Sequence, residues 1–269
     1  MKYFKNFRKY RFLLYEIVRK NIKLQYRNSV LGVFWTFLQP LLTTLVLVAV
    51  FGGMFGSDRN YTTCYPVYLL CGRLIYEFFT QSTKRAMRSI TNSASVIKKV
   101  YVPKYIYPLS NVLANYITFI ISLLVLVCFI LYFYFFKPEQ QPNITAYVFL
   151  SPVPIIILLI LAIGVGMILS TLSVFFKDIE YIYEVFCMLL FYMTPIFFHA
   201  DQLGAHKIVN LAIKANPLYS ITEMFRCCVL YGRMFTMNHF LYALGFSVVI
   251  FFIGFLIFYK KQDKFILHI

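Results

Sequence analysis

Long apolar stretches separated by short polar ones dominate the chain from residue 31 onward. A helix needs about 20 apolar residues to cross a hydrocarbon core roughly 30 Å thick. By that measure six spans are expected, over about 31–55, 64–83, 105–136, 148–176, 181–198 and 240–259. Before the first of them, in residues 1–28, Phe7, Tyr10, Leu14, Ile17, Val18 and Ile22 recur at helical spacing with lysine and arginine between them. This pattern predicts an amphipathic helix lying in the membrane surface. The first apolar run is too long for the core of a cleavable signal, so insertion is expected to use that span itself.

Residues 199–236 are too polar for an ordinary span. They keep helical spacing at Ile208, Leu211 and Ala212, and again at Leu218, Ile221 and Phe225. Asn216-Pro217 splits them and Gly232 suits the end of the second piece. The expectation is a short re-entrant helical hairpin on the outer side, and a single all-α transmembrane domain over residues 1–269.

Composition supports the class. Of 269 residues, 61% are hydrophobic and 13% charged, against roughly 45–50% and 25% in soluble domains. The net charge of +16 does not imply nucleic acid, because the cations lie in short segments between apolar runs. Nineteen of the 26 lysines and arginines fall in the N-terminal segment, the 84–104 loop, the 177–180 turn and the tail, against six in the opposite segments. Positive loops face the cytoplasm, which predicts both termini there. The six cysteines show no metal-ligand spacing and read as small apolar filler.

Absent motifs narrow the chemistry. There is no G-x-x-x-x-G-K-[ST] phosphate loop, no H-E-x-x-H, no G-x-S-x-G, and the four histidines are scattered. Neither a catalytic site nor a metal site is expected. Within the second span, Arg73 and Glu77 stand four residues apart and can pair on one helical face. Charge inside a membrane marks function by default; a pair that merely joins two helices or two subunits is the alternative reading. Ala162, Gly166 and Ser170 form a small-residue stripe suited to close helix packing. The aromatic residues Phe34, Trp35, Phe37, Phe191, Tyr192 and Phe197 on the first and fifth spans fit two roles, lipid-facing bulk or a surface on which sugar rings slide.

Several short segments stand in register with the spans: Tyr26-Arg27-Asn28-Ser29-Val30-Leu31-Gly32 before Trp35 and Gln39-Pro40-Leu41; Ile97-Lys98-Lys99-Val100-Tyr101-Val102-Pro103-Lys104 before Pro108-Leu109; Phe175-Phe176-Lys177-Asp178-Ile179; Thr194-Pro195-Ile196; and Asn216-Pro217-Leu218-Tyr219. In this order they resemble the permease subunits of type-2 ATP-binding-cassette exporters of bacterial surface polysaccharides, along essentially the whole chain. The resemblance implies a homodimer in the bacterial plasma membrane with two copies of a separate ATPase, which would hold the ATP and Mg²⁺, and no cofactor in this chain. It implies a lipid-linked polymer as substrate, a passage lined by the first and fifth spans, and the outer hairpin as a gate. By position, Arg88 to Lys99, with Lys98 and Lys99 at its end, would be the main helix touching the ATPase, and Lys177 and Asp178 a smaller contact. Arg27 would suit a substrate pyrophosphate at the cytoplasmic entrance. The rival expectations are an exporter of drugs or small lipids in the same superfamily, a proton-coupled secondary transporter, and a membrane-bound transferase.

Overall fold

A computed structural model describes residues 2–27, 29–55, 64–100, 102–137, 141–198 and 207–268. The loop around Arg59 and the first part of the expected outer hairpin, 199–206, lie outside the described residues. Every regular element among the described residues is helical: α1 (Lys2–Gln25), α2 (Trp35–Phe55), α3 (Tyr65–Met87), α4 (Ser89–Asn92), α5 (Ala94–Ile97), α6 (Ile106–Phe136), α7 (Pro152–Phe175), α8 (Ile179–Met193), α9 (Lys207–Ala215), α10 (Pro217–Val229), α11 (Met237–Lys261) and α12 (Phe265–His268). Short 3-10 turns precede α2 and α7 and join α11 to α12.

Four segments are long and apolar enough to cross a membrane: Gly32–Gly52, Ile106–Phe136, Ala146–Phe175 and Met237–Leu267. The other two expected spans, α3 and α8, fall short for different reasons. α3 has the length but contains Arg73, Glu77, Lys84 and Arg85. It tolerates them because it is the central helix, touching α2, α6, α7, α8 and α10, with most of its residues buried. A helix surrounded by protein need not be apolar all round. α8 has 15 residues, about 22 Å of helix. It stops at Met193 because Pro195 follows, and the residue before a proline is driven out of the helical region.

Tight helix contacts are set by glycine. On α7, Gly164 lies against the backbone of α11, where a Cβ would come within 2.7 Å of the Phe251 nitrogen. A Cβ on Gly254 of α11 would come within 2.4 Å of the Gly164 carbonyl oxygen. The predicted stripe of Ala162, Gly166 and Ser170 is buried, and Gly166 faces Ala86 of α3 and Val112 of α6. Close backbone approach of this kind is how helices associate without a hydrophobic driving force.

The amphipathic α1 lays Leu14 and Val18 on Ile106 and Ala114 of α6. Part of its apolar stripe is thus covered by protein, while Phe12, Tyr15 and Leu24 remain exposed. The hairpin breaks where the sequence places the break: the Asn216 side chain accepts from the Leu218 amide at 3.0 Å and so caps α10. Its amide nitrogen also donates to the Thr194 hydroxyl at 3.1 Å, tying α10 to the end of α8. Gly232 ends α10 with φ +60, and its missing side chain admits the Asn143 carbonyl. At the opposite end of the bundle, Ile90 and Ile97 pack with Tyr107, Met167, Val174, Phe258 and Phe265. This cluster seats α4 and α5 on the bundle.

Candidate functional site

Three cavities follow one another along the wall made by α1, α2, α3 and α8. The first is a wide cleft of about 1200 Å³ lined by Glu16, Arg19, Lys20, Lys23, Tyr26, Arg27 and Gly32. Four cations against one carboxylate make it electropositive. Its shape comes from the turn between α1 and α2. Gly32 adopts φ +53, a conformation only glycine takes freely, and its amide donates to the Ser29 hydroxyl at 3.2 Å. Arg27 lies on the rim of this turn and lines the cleft with Arg19, Lys20 and Lys23.

The second cavity, about 90 Å³, lies between α2, α3 and α6 and shares Tyr26 with the first. Gln39, Glu77, Gln81, Asn115, Thr118 and Ser122 give it a polar lining, and Leu74, Phe78 and Phe119 an apolar one. Pro40 explains its wall. Lacking an N–H, it leaves the Thr36 carbonyl without a helical partner, and Ser122 of α6 donates to that carbonyl at 3.1 Å. The Thr44 hydroxyl donates to the Pro40 carbonyl at 2.6 Å. The proline thus docks α2 onto α6.

The third cavity, about 370 Å³, shares Glu77 with the second and is lined by Leu42, Val46, Arg73, Tyr76, Phe191, Ile196 and Phe197. Arg73 donates to Glu77 at 2.8 Å from Nε and 2.6 Å from Nη2, and its Nη1 has no partner. The rings of Tyr76 and Phe197 meet Phe191 at 5.2 and 5.3 Å between centroids, in the edge-to-face arrangement aromatic quadrupoles favour. The charge pair and part of the aromatic set, separate in the sequence, converge here. The remaining aromatics do not. Trp35 lines the second cavity, Phe34 and Tyr192 are exposed, and Phe37 packs on the core.

Of the expected coupling residues, Arg88 is held on the surface where α3 ends and α8 begins. Arg88, just beyond α3, donates to Glu180 of α8 at 2.9 Å, and Lys84 lies 3.8 Å from Glu184. Lys98, Lys99, Lys177 and Asp178 are exposed. The segment from Arg88 to Lys99 is not one helix, however. α3 continues to Met87, and two four-residue helices follow, bent at Ser93. Ile90 of α4 and Ile97 of α5 are both buried against the bundle, so each short helix is seated by one isoleucine. Arg85 closes the α1 end of this surface by donating to Gln25 at 2.8 Å.

One site was not foreseen from the sequence. Arg226 of α10, counted above among outer-side charges, is fully buried; five cations remain in those segments. Its guanidinium carbon lies 3.5 Å from the Tyr68 ring centre, and it donates to Glu223 at 3.0 Å, to the Pro195 carbonyl at 2.8 Å and to the Tyr68 carbonyl at 3.3 Å. Gly72 makes room for it, since a Cβ there would come within 2.6 Å of Nη2. Tyr68 in turn donates to the Phe198 carbonyl at 2.8 Å. Arg226 thus pins α10, α3 and the chain beyond α8 together. No local pattern signalled it: α10 is buried nearly all round, so the face that carries Arg226 does not stand out in the sequence.

Among the described residues, no cluster of three or more His, Cys, Asp or Glu could hold a metal. Nothing in these cavities pairs a nucleophile with a base. Four segments long and apolar enough to cross a membrane, with cavities along the helices, define the class as a membrane protein.

The family model of the ABC-2 type transporter matches residues 13–230, and the chain belongs to that family. Its similarity extends to the O-antigen export system permease protein RfbA of Klebsiella pneumoniae, 30% identical over 254 residues that cover 94% of this chain and 93% of the relative. A second Klebsiella pneumoniae protein of that name is also 30% identical, over 257 residues. The protein of the same name from Myxococcus xanthus is 27% identical over 257 residues, 95% of each chain.

Proposed function

We propose that this chain is the permease subunit of an ATP-driven exporter that carries a lipid-linked polysaccharide across the bacterial plasma membrane. The observation that carries the reading is the row of three neighbouring cavities, with Tyr26 and Glu77 as shared walls, a basic cleft at one end and an aromatic one at the other. The names of the relatives point to the same substrate class.

In this reading six helices cross the membrane, α3 and α8 being the two that do so under cover of protein or of a second copy of the chain. α1 lies at the cytoplasmic surface, both termini are cytoplasmic, and α9 and α10 dip into the outer leaflet. The cleft around Arg27 takes the pyrophosphate. The aromatic cavity then offers ring faces without a dense array of hydrogen-bond partners, so a polymer moves on without being trapped. A separate ATPase, two copies to a permease dimer, would press on the surface formed by Arg88, Lys98, Lys99, Lys177 and Asp178. The Arg88–Glu180 pair would pass that movement from the end of α3 to the start of α8. Such closure of a partner is a rigid-body switch read through packed helices.

Depletion of the protein tests this. Lipid-linked polymer is expected to accumulate where externally added antibody cannot reach it, and wild-type surface polymer in depleted cells would contradict the reading.

A further inference from the structure

The segment between α3 and α6 has two ends, and the Arg88–Glu180 pair holds one of them. At the other end stands Lys104, half-buried just before α6. Its ammonium donates to the Gln262 carbonyl at 2.5 Å and lies 5.8 Å from the centre of the Phe265 ring. Gln262 is the residue at which α11 stops. The last carbonyls of a helix lack intrahelical partners and form the negative end of its dipole, where a cation is stabilising. A lysine 158 residues away along the chain therefore caps α11.

Phe265 fixes this contact to the bundle. It is fully buried, and its ring meets Phe258 of α11 at 5.3 Å and Phe175 of α7 at 6.0 Å between centroids, both edge-to-face. Ile266 and Leu267, which follow it, are exposed, so Phe265 is the side chain that seats α12. It belongs to the same buried cluster as Ile90 of α4 and Ile97 of α5, against which Val102 also packs. Below it, α7 and α11 are in backbone contact through Gly164 and Gly254, which makes that pair a firm anchor.

We propose that Lys104 and Phe265 are positioning residues. They fix the far end of the ATPase-facing segment to the α7–α11 pair, so that force applied at Lys98 and Lys99 is delivered at the Arg88 end. The proposal rests on the ATP-driven reading above and deepens it. A segment held at one end only would swing when pushed, whereas one held at both ends passes the push on. The two holds differ in kind. Arg88 and Glu180 are two partly exposed side chains, while Lys104 is held by a helix-end carbonyl and a buried ring.

The test uses the full exporter, permease with its ATPase, in proteoliposomes supplied with radiolabelled lipid-linked polymer. Lys104→Met keeps an unbranched chain beside Phe265 but removes the cation and its donors. Polymer moved per ATP hydrolysed is expected to fall at least about five-fold, with hydrolysis itself kept within about two-fold. The unfolding temperature should drop by no more than about 4 °C. A spin label on Ser95→Cys, exposed on α5, should become more mobile in the Lys104→Met protein, with the exposed Cys128 changed to alanine throughout. Lys104→Arg keeps a cationic donor and should restore at least about half of the transport ratio. Phe265→Ala should lower the ratio as Lys104→Met does.

An unchanged ratio in Lys104→Met or Phe265→Ala, beside a working unaltered exporter, would overturn the proposal and leave the transport reading standing. Parallel loss of hydrolysis and transport with the Ser95 label unmoved would overturn it too, since that marks a role in stability alone. Failure of the unaltered exporter to move polymer removes the transport reading and this proposal together.

Discussion

α3 and α8 differ in almost every respect, and the contrast shows how this bundle divides its work. α3 is among the most polar of the long helices and the most deeply buried, pressed from all sides and locked to α10 through Arg226 and Tyr68. α8 is apolar and aromatic, yet only Tyr183, Cys187 and Leu190 are buried; Tyr181, Ile182, Val185, Met188, Leu189 and Tyr192 face outward. In water the polarity of a helix face tells which side is inside. In a membrane that inference reverses: the apolar helix can afford exposure to lipid, and the charged one must be covered. α3 is thus locked by its neighbours on every side, whereas α8 is held by few contacts.

The comparison breaks most severely at Arg226. Arg226→Ala is expected to cost about 3 kcal/mol, because it leaves Glu223 and the Pro195 carbonyl without their partner; the purified protein in micelles should lose most of its thermal stability. Next in size is Gly254→Val on α11, which forces a side chain against the Gly164 carbonyl. Overpacking of this kind costs about 1–3 kcal/mol and should lower the unfolding temperature in the same assay. Ser122→Ala removes the donor that satisfies the Thr36 carbonyl freed by Pro40 and should cost about 1 kcal/mol; pairing it with Pro40→Ala should recover much of that loss, since the helix then satisfies the carbonyl itself. On the α8 side, Arg88→Ala breaks a half-exposed ion pair and should change stability by less than about 1 kcal/mol. Its effect belongs in ATP-driven transport by the reconstituted exporter, where a fall without loss of stability is expected. Tyr192→Ala should be the mildest, within about 0.5 kcal/mol.

The long apolar spans were legible because lipid imposes one simple rule, length and hydropathy together. α6 and α11 start within three residues of their expected positions and end within two. Asn216-Pro217 and the glycine after α10 were equally plain, because capping and backbone conformation are local. α8 was misjudged in length, as the apolar run through Ile196 to Phe198 outlasts the helix; it folds back because Tyr65 and Tyr68 hold the Phe197 and Phe198 carbonyls, partners more than a hundred residues away. Arg73 and Glu77 were found as a pair, while their meeting with Phe191 and Phe197 depends on how α8 lies across α3, which no local pattern encodes. Nothing in the sequence singled out Asn115, one of two asparagines on α6. That neither of its polar atoms is paired is a property of three helices at once.

The route proposed for substrate is the α2–α3–α8 wall. Photocrosslinking tests this most directly, with benzoylphenylalanine placed at Tyr26, at Phe197 and, as a control, at the exposed Leu131 of α6, in cells making radiolabelled lipid-linked polymer. Label at Tyr26 and Phe197 with none at Leu131 is the predicted result. Label at Leu131 alone, or equal label at all three, would contradict it.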